Sequence, residues 1–386
     1  MNYNILFFAS SPVLKNEGGV QRVSYTLANA FEDLGYSVFF ICLQKKRDNI
    51  KYDKRQFFTC DFGLNPNTAL DVFINKYGIN VIINQAGIYP GITKIFKKLD
   101  TRSQFKLFTV HHNCVKCLNE RYREIVLGNK TSKLWKLLDK KFTWIVLKEL
   151  NRLKYGNLFK QAIKTSDRFV LLSENFIEEL HFFGLRKQQV KAIAIPNPAS
   201  FETQEKSIIA KKENRIIYVG RLTHTQKRVD RLLEIWKQIH ESYPNWKFDV
   251  VGDGSQKKTM QDFCHKHNLD RIYFHGYQDP RPFLERAKIF TMTSDFEGFP
   301  MVLVEAQSYG VVPVAFRSFS SINEIILNSK TGLLINNFDI AEYSDNIDKL
   351  ITDPNYLRQL STNGIDHSKS FEKNKIASRW ITHFKS

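Results

Sequence analysis

Short apolar runs alternate with helical patterns along the chain. Asn4-Ile5-Leu6-Phe7-Phe8-Ala9 is apolar at successive positions and bounded by Ser10-Ser11-Pro12, as a strand covered on both faces requires. Val23, Leu27, Ala30, Phe31 and Leu34 then recur at helical spacing, Gly35 ends the helix, and Ser37 to Cys42 reads as the next strand. Further strands are predicted at Asn80 to Asn84, Phe105 to Val110 and Asp167 to Ser173, with a helix opening at Glu174. Pro196 and Pro198 predict an extended connector, and the polar stretch Glu202 to Asn214 marks a domain boundary. The pattern then restarts. Arg215 to Leu222 reads as strand and turn, and Arg231 to Glu241 as a helix with Leu232, Leu233, Ile235, Trp236 and Ile239 on its apolar face. Strands follow at Trp246 to Gly252, Ile272 to Gly276, Ile289 to Ser294, Val311 to Ala315 and Thr331 to Ile335. Amphipathic helices cover 340–352 and 374–384. Strands alternating with helices predict parallel sheets of the α/β class, here twice over.

One stretch, Ser294 to Pro313, orders the second half. It turns at Gly298-Phe299-Pro300, enters a helix over Met301 to Tyr309, and places Glu297 and Glu305 on either side of the helix start. Pro300 suits a first helical turn, and free amides at Phe299, Met301 and Val302 suit a phosphate, with the carboxylates left for sugar hydroxyls. An ordinary strand–turn–helix unit with two surface glutamates reads the same residues without a ligand.

The 386 residues allow two or three domains, and 42% hydrophobic with 25% charged residues exclude a disordered chain. No apolar run reaches the roughly 18 residues of a membrane span, and the start has neither a basic region nor a small-residue cleavage site. Five scattered cysteines fit a reducing cytoplasm better than a disulfide framework. His111, His112, Cys114 and Cys117 lie close together, but no second ligand pair exists to complete zinc. The formal charge of +18 invites nucleic acid, an anionic membrane or a phosphorylated substrate. Half of that charge, about +9, lies in Val115 to Thr165, where apolar and aromatic residues are interleaved. That composition suits a peripheral contact with an anionic membrane, or a helix pair with a solvated basic face.

The remaining chemistry sits at strand ends, where ligands bind in open α/β sheets. Gly18-Gly19 precedes the first helix and permits close backbone approach, but G-x-G-x-x-G and P-loop patterns are missing. His111, with His112 as the alternative, ends the strand before Asn113. Gly220-Arg221 with Lys227 supplies a guanidinium fork and a point charge for a diphosphate.

Taken together, Glu297…Glu305, Gly298-Phe299-Pro300, Gly220-Arg221…Lys227, the GGVQRVSYTLANAF loop, His111 and Asn197-Pro198 resemble the retaining GT-B glycosyltransferases, the large family four in particular. The resemblance runs over the whole chain, except the lysine-rich insert after His112. It implies two Rossmann-like domains facing across a cleft. Residues 1–198 would form an acceptor-binding domain, 199–365 a nucleotide-sugar domain, and 366–386 a helix crossing back to the first. It implies transfer of a hexosyl group from a nucleotide-sugar, a UDP-sugar in the first instance, to a glycan or lipid-linked acceptor in surface-polysaccharide or lipopolysaccharide assembly. His111 and Glu297 would act at the sugar. Gly18, Gly19, Arg221, Lys227, Gly298, Phe299, Pro300, Met301, Val302 and Glu305 would hold the donor. No metal, other cofactor or nucleic acid is expected, and the expected location is cytoplasmic, at the inner face of the membrane. Two other classes remain open: a sugar-phosphate enzyme of the same architecture, such as an epimerase or phosphorylase, and a basic nucleic-acid-binding protein, which would show steep salt dependence.

Overall fold

The computed structural model describes residues 3–14, 18–44, 50–120, 122, 141–186, 191–336 and 338–385. They form two compact units, Met1–Ser200 with Lys373–Ser386, and Phe201–Glu372.

In the first unit the strands are β1 (Asn4–Ala9), β2 (Ser37–Cys42), β3 (Gln56–Phe58), β4 (Val81–Asn84), β5 (Lys106–His111), β6 (Arg168–Leu171) and β7 (Ala192–Ala194). Among the described residues they make one parallel sheet in the order β3-β2-β1-β4-β5-β6-β7. The helices are α1 (Gly19–Asp33), α2 (Pro66–Tyr77), α3 (Pro90–Lys97), α4 (Cys117–Glu120), α5 (Lys141–Thr165) and α6 (Glu174–Glu179). β1 is buried from Ile5 to Ala9 because helices cover both faces of a parallel sheet. The chain's last helix, α14 (Lys373–Lys385), packs on α1. Phe384 meets Phe31, Tyr3 and Phe108, and Lys373 pairs with Asp33 at 2.7 Å.

The second unit repeats the plan. Its strands are β8 (Arg215–Val219), β9 (Lys247–Val251), β10 (Ile272–Gly276), β11 (Ile289–Met292), β12 (Val312–Phe316) and β13 (Leu333–Ile335), in the parallel order β10-β9-β8-β11-β12-β13. The helices are α7 (Asp230–Ile239), α8 (Lys257–Lys266), α9 (Arg281–Arg286), α10 (Met301–Ser308), α11 (Ile322–Ile325), α12 (Ile340–Thr352) and α13 (Pro354–Ser368). All five apolar residues read as the inner face of α7 are buried, and the Trp236 indole donates to the Asp270 carbonyl at 3.0 Å.

Three local expectations change. Cys114 and Cys117 are joined by a disulfide, with Cα atoms 5.7 Å apart; the turn into α4 brings the C-x-x-C thiols together, where free thiols were expected. Ala192 to Ala194, which lead into the predicted connector at Pro196 and Pro198, pair with β6 as an edge strand before Pro196 ends the ladder. Of the basic segment Val115 to Thr165, residues 121 and 123–140 lie outside the described residues. In the rest, the outer face of α5 begins apolar and not basic: Phe142, Ile145, Val146, Leu150 and Leu153 are exposed.

Candidate functional site

In both sheets the strand order reverses direction beside the first strand of the unit. The crevice beyond the strand ends at such a point is where open α/β sheets take ligands. In the second unit that point lies between β8 and β11.

The turn after β8 is locked by backbone contact with the turn after β9. Gly220 N donates to Val251 O at 3.0 Å, and Leu222 N to Asp253 O at 2.9 Å. A Cβ on Gly252 would stand 1.8 Å from Gly220 O, and one on Gly254 would stand 2.4 Å from Leu222 O. Only glycine fits two backbones this close. The Tyr218 hydroxyl donates to Arg221 O at 3.0 Å, and burial raises its pKa far above the usual range. Arg221 leaves this fixed turn with an exposed side chain, its Nη2 3.4 Å from Gln226 Oε1.

The chain after β11 meets the same turn. Asp295 N donates to Gln226 O at 2.9 Å. The Thr293 hydroxyl donates to the carbonyls of Lys227 and Arg228 at 3.1 and 3.0 Å. Asp295, almost fully buried, accepts from Arg231 at 2.5 Å and Arg228 at 3.4 Å. Two residues on, Glu297 Oε1 lies 2.6 Å from Lys227 Nζ, and its Oε2 accepts from the Gln226 amide at 3.2 Å. The Glu297 and Lys227 side chains are 10% and 15% exposed, so this is a largely desolvated ion pair.

Gly298-Phe299-Pro300 then turns into α10. The Ser321 hydroxyl donates to Gly298 O at 2.6 Å and fixes the turn. Pro300 holds the N-cap position and no side chain caps the helix. Leu303 N bonds back to Pro300 O at 3.0 Å, which leaves the amides at Met301 and Val302 as the first-turn donors suited to an anion. Glu305 lies one turn on and is 1% exposed.

Arg221, Lys227, Glu297 and Gly298 to Val302 therefore share one strand-end region, with Glu305 on its helix. Gln226, Arg228, Arg231, Asp295 and Ser321 were not singled out from the sequence. No motif marks them; their roles arise from contacts across 23 to 71 residues of sequence.

In the first unit Gly18 takes φ 59 at the N-cap of α1, where a Cβ would meet the Gln21 side chain at 2.5 Å, whereas Gly19 faces open space. His111 ends β5, buried, with its ring edge-on to Phe159 at 5.1 Å. Burial pushes its pKa down to about 4, against a backbone hydrogen bond at Cys114 that acts in the other direction. His112 falls to about 3 through burial and then the neighbouring His111. Both rings are neutral near pH 7. His112 Nε2 is taken up by Gln85 Oε1 at 2.5 Å, while His111 Nε2 has no hydrogen-bond partner among the described residues. Among those residues no group of three or more His, Cys, Asp and Glu side chains is arranged to hold a metal.

Residues 200–367 match the family described as glycosyl transferases group 1. The chain is 27% identical over 369 residues to an uncharacterized glycosyltransferase of Haemophilus influenzae, covering 94% of this chain and 95% of that one. It is 31% identical over 201 residues to the lipopolysaccharide 1,6-galactosyltransferase of Escherichia coli, covering 50% and 54%. Among solved structures, the pneumococcal O-GlcNAc transferase GtfA, determined with UDP and GlcNAc, superposes with a TM-score of 0.73 at 13% identity, over 100% of this chain and 99% of that one.

Proposed function

We propose that the chain, whose residues 200–367 match the glycosyl transferases group 1 family, is a glycosyltransferase of the GT-B fold that moves a hexosyl group from a UDP-sugar, with retention of configuration, onto a glycan or lipid-linked acceptor of a surface polysaccharide. The observation that carries the reading is the gathering of Arg221, Lys227, Glu297 and the uncapped start of α10 beyond the ends of the neighbouring strands β8 and β11.

The chemistry follows from charge. Cleaving the sugar–phosphate bond leaves negative charge on the diphosphate. Arg221 offers a fork, Lys227 a point charge, and the α10 start offers amides and the positive end of its dipole. Glu305, one turn into α10, would take the ribose hydroxyls. Glu297 would take hydroxyls of the transferred sugar. With Lys227 and Gln226 on its two oxygens, it is held in orientation before substrate arrives. A neutral His111 would contribute a hydrogen bond and not a positive charge. The acceptor falls to the first unit, and the Gly18-Gly19 amides at the start of α1 would add to the hold on the donor diphosphate. Since two cations and a helix start meet the diphosphate charge, no divalent metal is required, and EDTA should leave the rate unchanged.

The relatives support the sugar class: the E. coli protein is named a lipopolysaccharide galactosyltransferase, and the pneumococcal structure holds UDP. The test is binding and turnover of a panel of UDP- and GDP-sugars by the purified chain, with Arg221→Ala and Glu305→Gln alongside. Selective binding of one UDP-sugar, lost in both variants, is the expected result. Folded protein that binds none of the panel removes the reading, and sugar phosphate released only with inorganic phosphate would make it a phosphorylase.

A further inference from the structure

The outward face of the first half of α5 is apolar. Phe142 is 75% exposed, Ile145, Leu150 and Leu153 are each 58% exposed, and Val146 is 42% exposed. Spacings of three and four residues put them on one stripe. The inward side of the same turns is already covered, with Trp144 and Asn151 buried. Past Leu153 the outward positions become polar: Lys154, Asn157, Lys160 and Lys164 are exposed. A helix apolar on both sides over the same turns is built to be dehydrated on both.

The surroundings select what dehydrates it. α3 packs beside α5 and brings Tyr89, 69% exposed at its N-cap, with exposed Lys94 and Lys97 on the helix and Lys98 at its end. The acidic residue within the stripe, Glu149, is forked by Arg152 at 2.5 to 3.0 Å, which cancels its charge locally. The patch is therefore apolar with a basic flank. A second copy of the chain would bring the same formal +18 and be repelled, whereas an anionic surface would be attracted.

We propose that the α5 stripe is a membrane-docking face. Phe142, Ile145, Val146, Leu150 and Leu153 lie in the headgroup–acyl boundary of an anionic bilayer, with the α3 lysines among the lipid phosphates. The stripe from Phe142 to Leu153 runs about 17 Å along the helix, so α5 lies in the plane of the surface. No described helix is long and apolar enough to cross a membrane. This inference does not depend on the donor reading.

The experiment is flotation of the full chain with vesicles of equimolar phosphatidylglycerol and phosphatidylcholine, and with phosphatidylcholine alone. The variants are Leu150→Ser/Leu153→Ser on the stripe and Leu64→Ser, exposed elsewhere on the same unit, as control. The expected result is flotation with the anionic vesicles, weakened by salt and by removing phosphatidylglycerol. The double variant should partition at least about tenfold less, and the control should float as the parent does. Circular dichroism checks that each variant is folded. Wild-type protein that stays with the soluble fraction, or a double variant that floats equally well, overturns the proposal. So does a wild-type dimer in solution that the double variant converts to monomer, because a second copy would then cover the stripe.

Discussion

Replacing Lys227 with Met separates what the Lys227–Glu297 pair does for the fold from the donor contact proposed for it. Met keeps the length of the side chain and removes its charge. Glu297 would keep only the Gln226 amide, on a side chain that is 10% exposed. Truncating one partner of a buried pair costs about 3–5 kcal/mol, and the residual exposure here argues for the lower end, about 3 kcal/mol. For a unit of this size each kcal/mol moves the melting temperature by about 2–4 °C, so the transition of Phe201–Glu372 should fall by roughly 6–12 °C. Adding Glu297→Gln in the same chain should recover most of that loss, because a neutral amide needs no counter-ion. Donor binding should stay lost in both variants. Scanning calorimetry reads the stability and nucleotide-sugar titration reads the site. If Lys227→Met melts within about 2 °C of the parent, or the double variant is no more stable than the single one, the pair is not a desolvated charge couple and the magnitude argument fails.

Other outcomes follow from single contacts. Gly252→Ala should destabilise the second unit by at least about 3 kcal/mol, since its Cβ would stand 1.8 Å from the Gly220 carbonyl; a melting scan near the parent's would refute the close approach. Gly19→Ala meets nothing within 4 Å and should leave stability unchanged or raise it by up to about 1 kcal/mol, so a fall in kcat/KM without a fall in melting temperature would point to a backbone approach by substrate. His111 and His112 have folded pKa values of about 4 and 3, below the unfolded value of 6.5. Their contribution is therefore full above pH 6.5 and is lost as pH falls towards 4 and 3. By pH 5 the loss is on the order of 2 kcal/mol per histidine, and His111→Asn should flatten part of the pH dependence of the first unit's melting.

Much of the architecture was legible because strands buried on both faces leave unbroken apolar runs. β1, β4, β5, β8 and β11 to β13 read that way. α13 did not. Its buried face mixes Leu357, Leu360 and Ile365 with Ser361, Gly364 and Ser368, and Gly364 admits the Gln307 side chain, so small residues interrupt the apolar period. The short edge strand β3 has three residues, too few to show a period. In the site, Arg221, Lys227 and Glu297 were legible because their residue types suit phosphate and sugar hydroxyls at strand ends. Gln226 was not, since an amide in a polar turn has no distinguishing pattern until Glu297, 71 residues away, is brought beside it. The pairing of Lys227 with Glu297 was likewise invisible. Each was assigned to a ligand, and only the folded turn shows that they first satisfy one another. The apolar stripe on α5 was masked by the lysines around it: composition drew attention to charge, whereas exposure shows the outward turns to be hydrocarbon.

The helix α14 has a consequence in time. It closes over Phe31 and Phe108 of the first unit, yet 172 residues of the second unit are synthesised between Ser200 and Lys373. At about 5–20 residues per second, a ribosome needs roughly 10–30 s to cover that interval. Throughout it the nascent first unit carries an uncovered aromatic groove where Phe384 will sit. The second unit has no such wait, because all of its strands and helices are contiguous in the chain. The half of the protein translated first is thus the half finished last, and its open groove is the place where a chaperone, or misassembly with a neighbouring nascent chain, would act during synthesis.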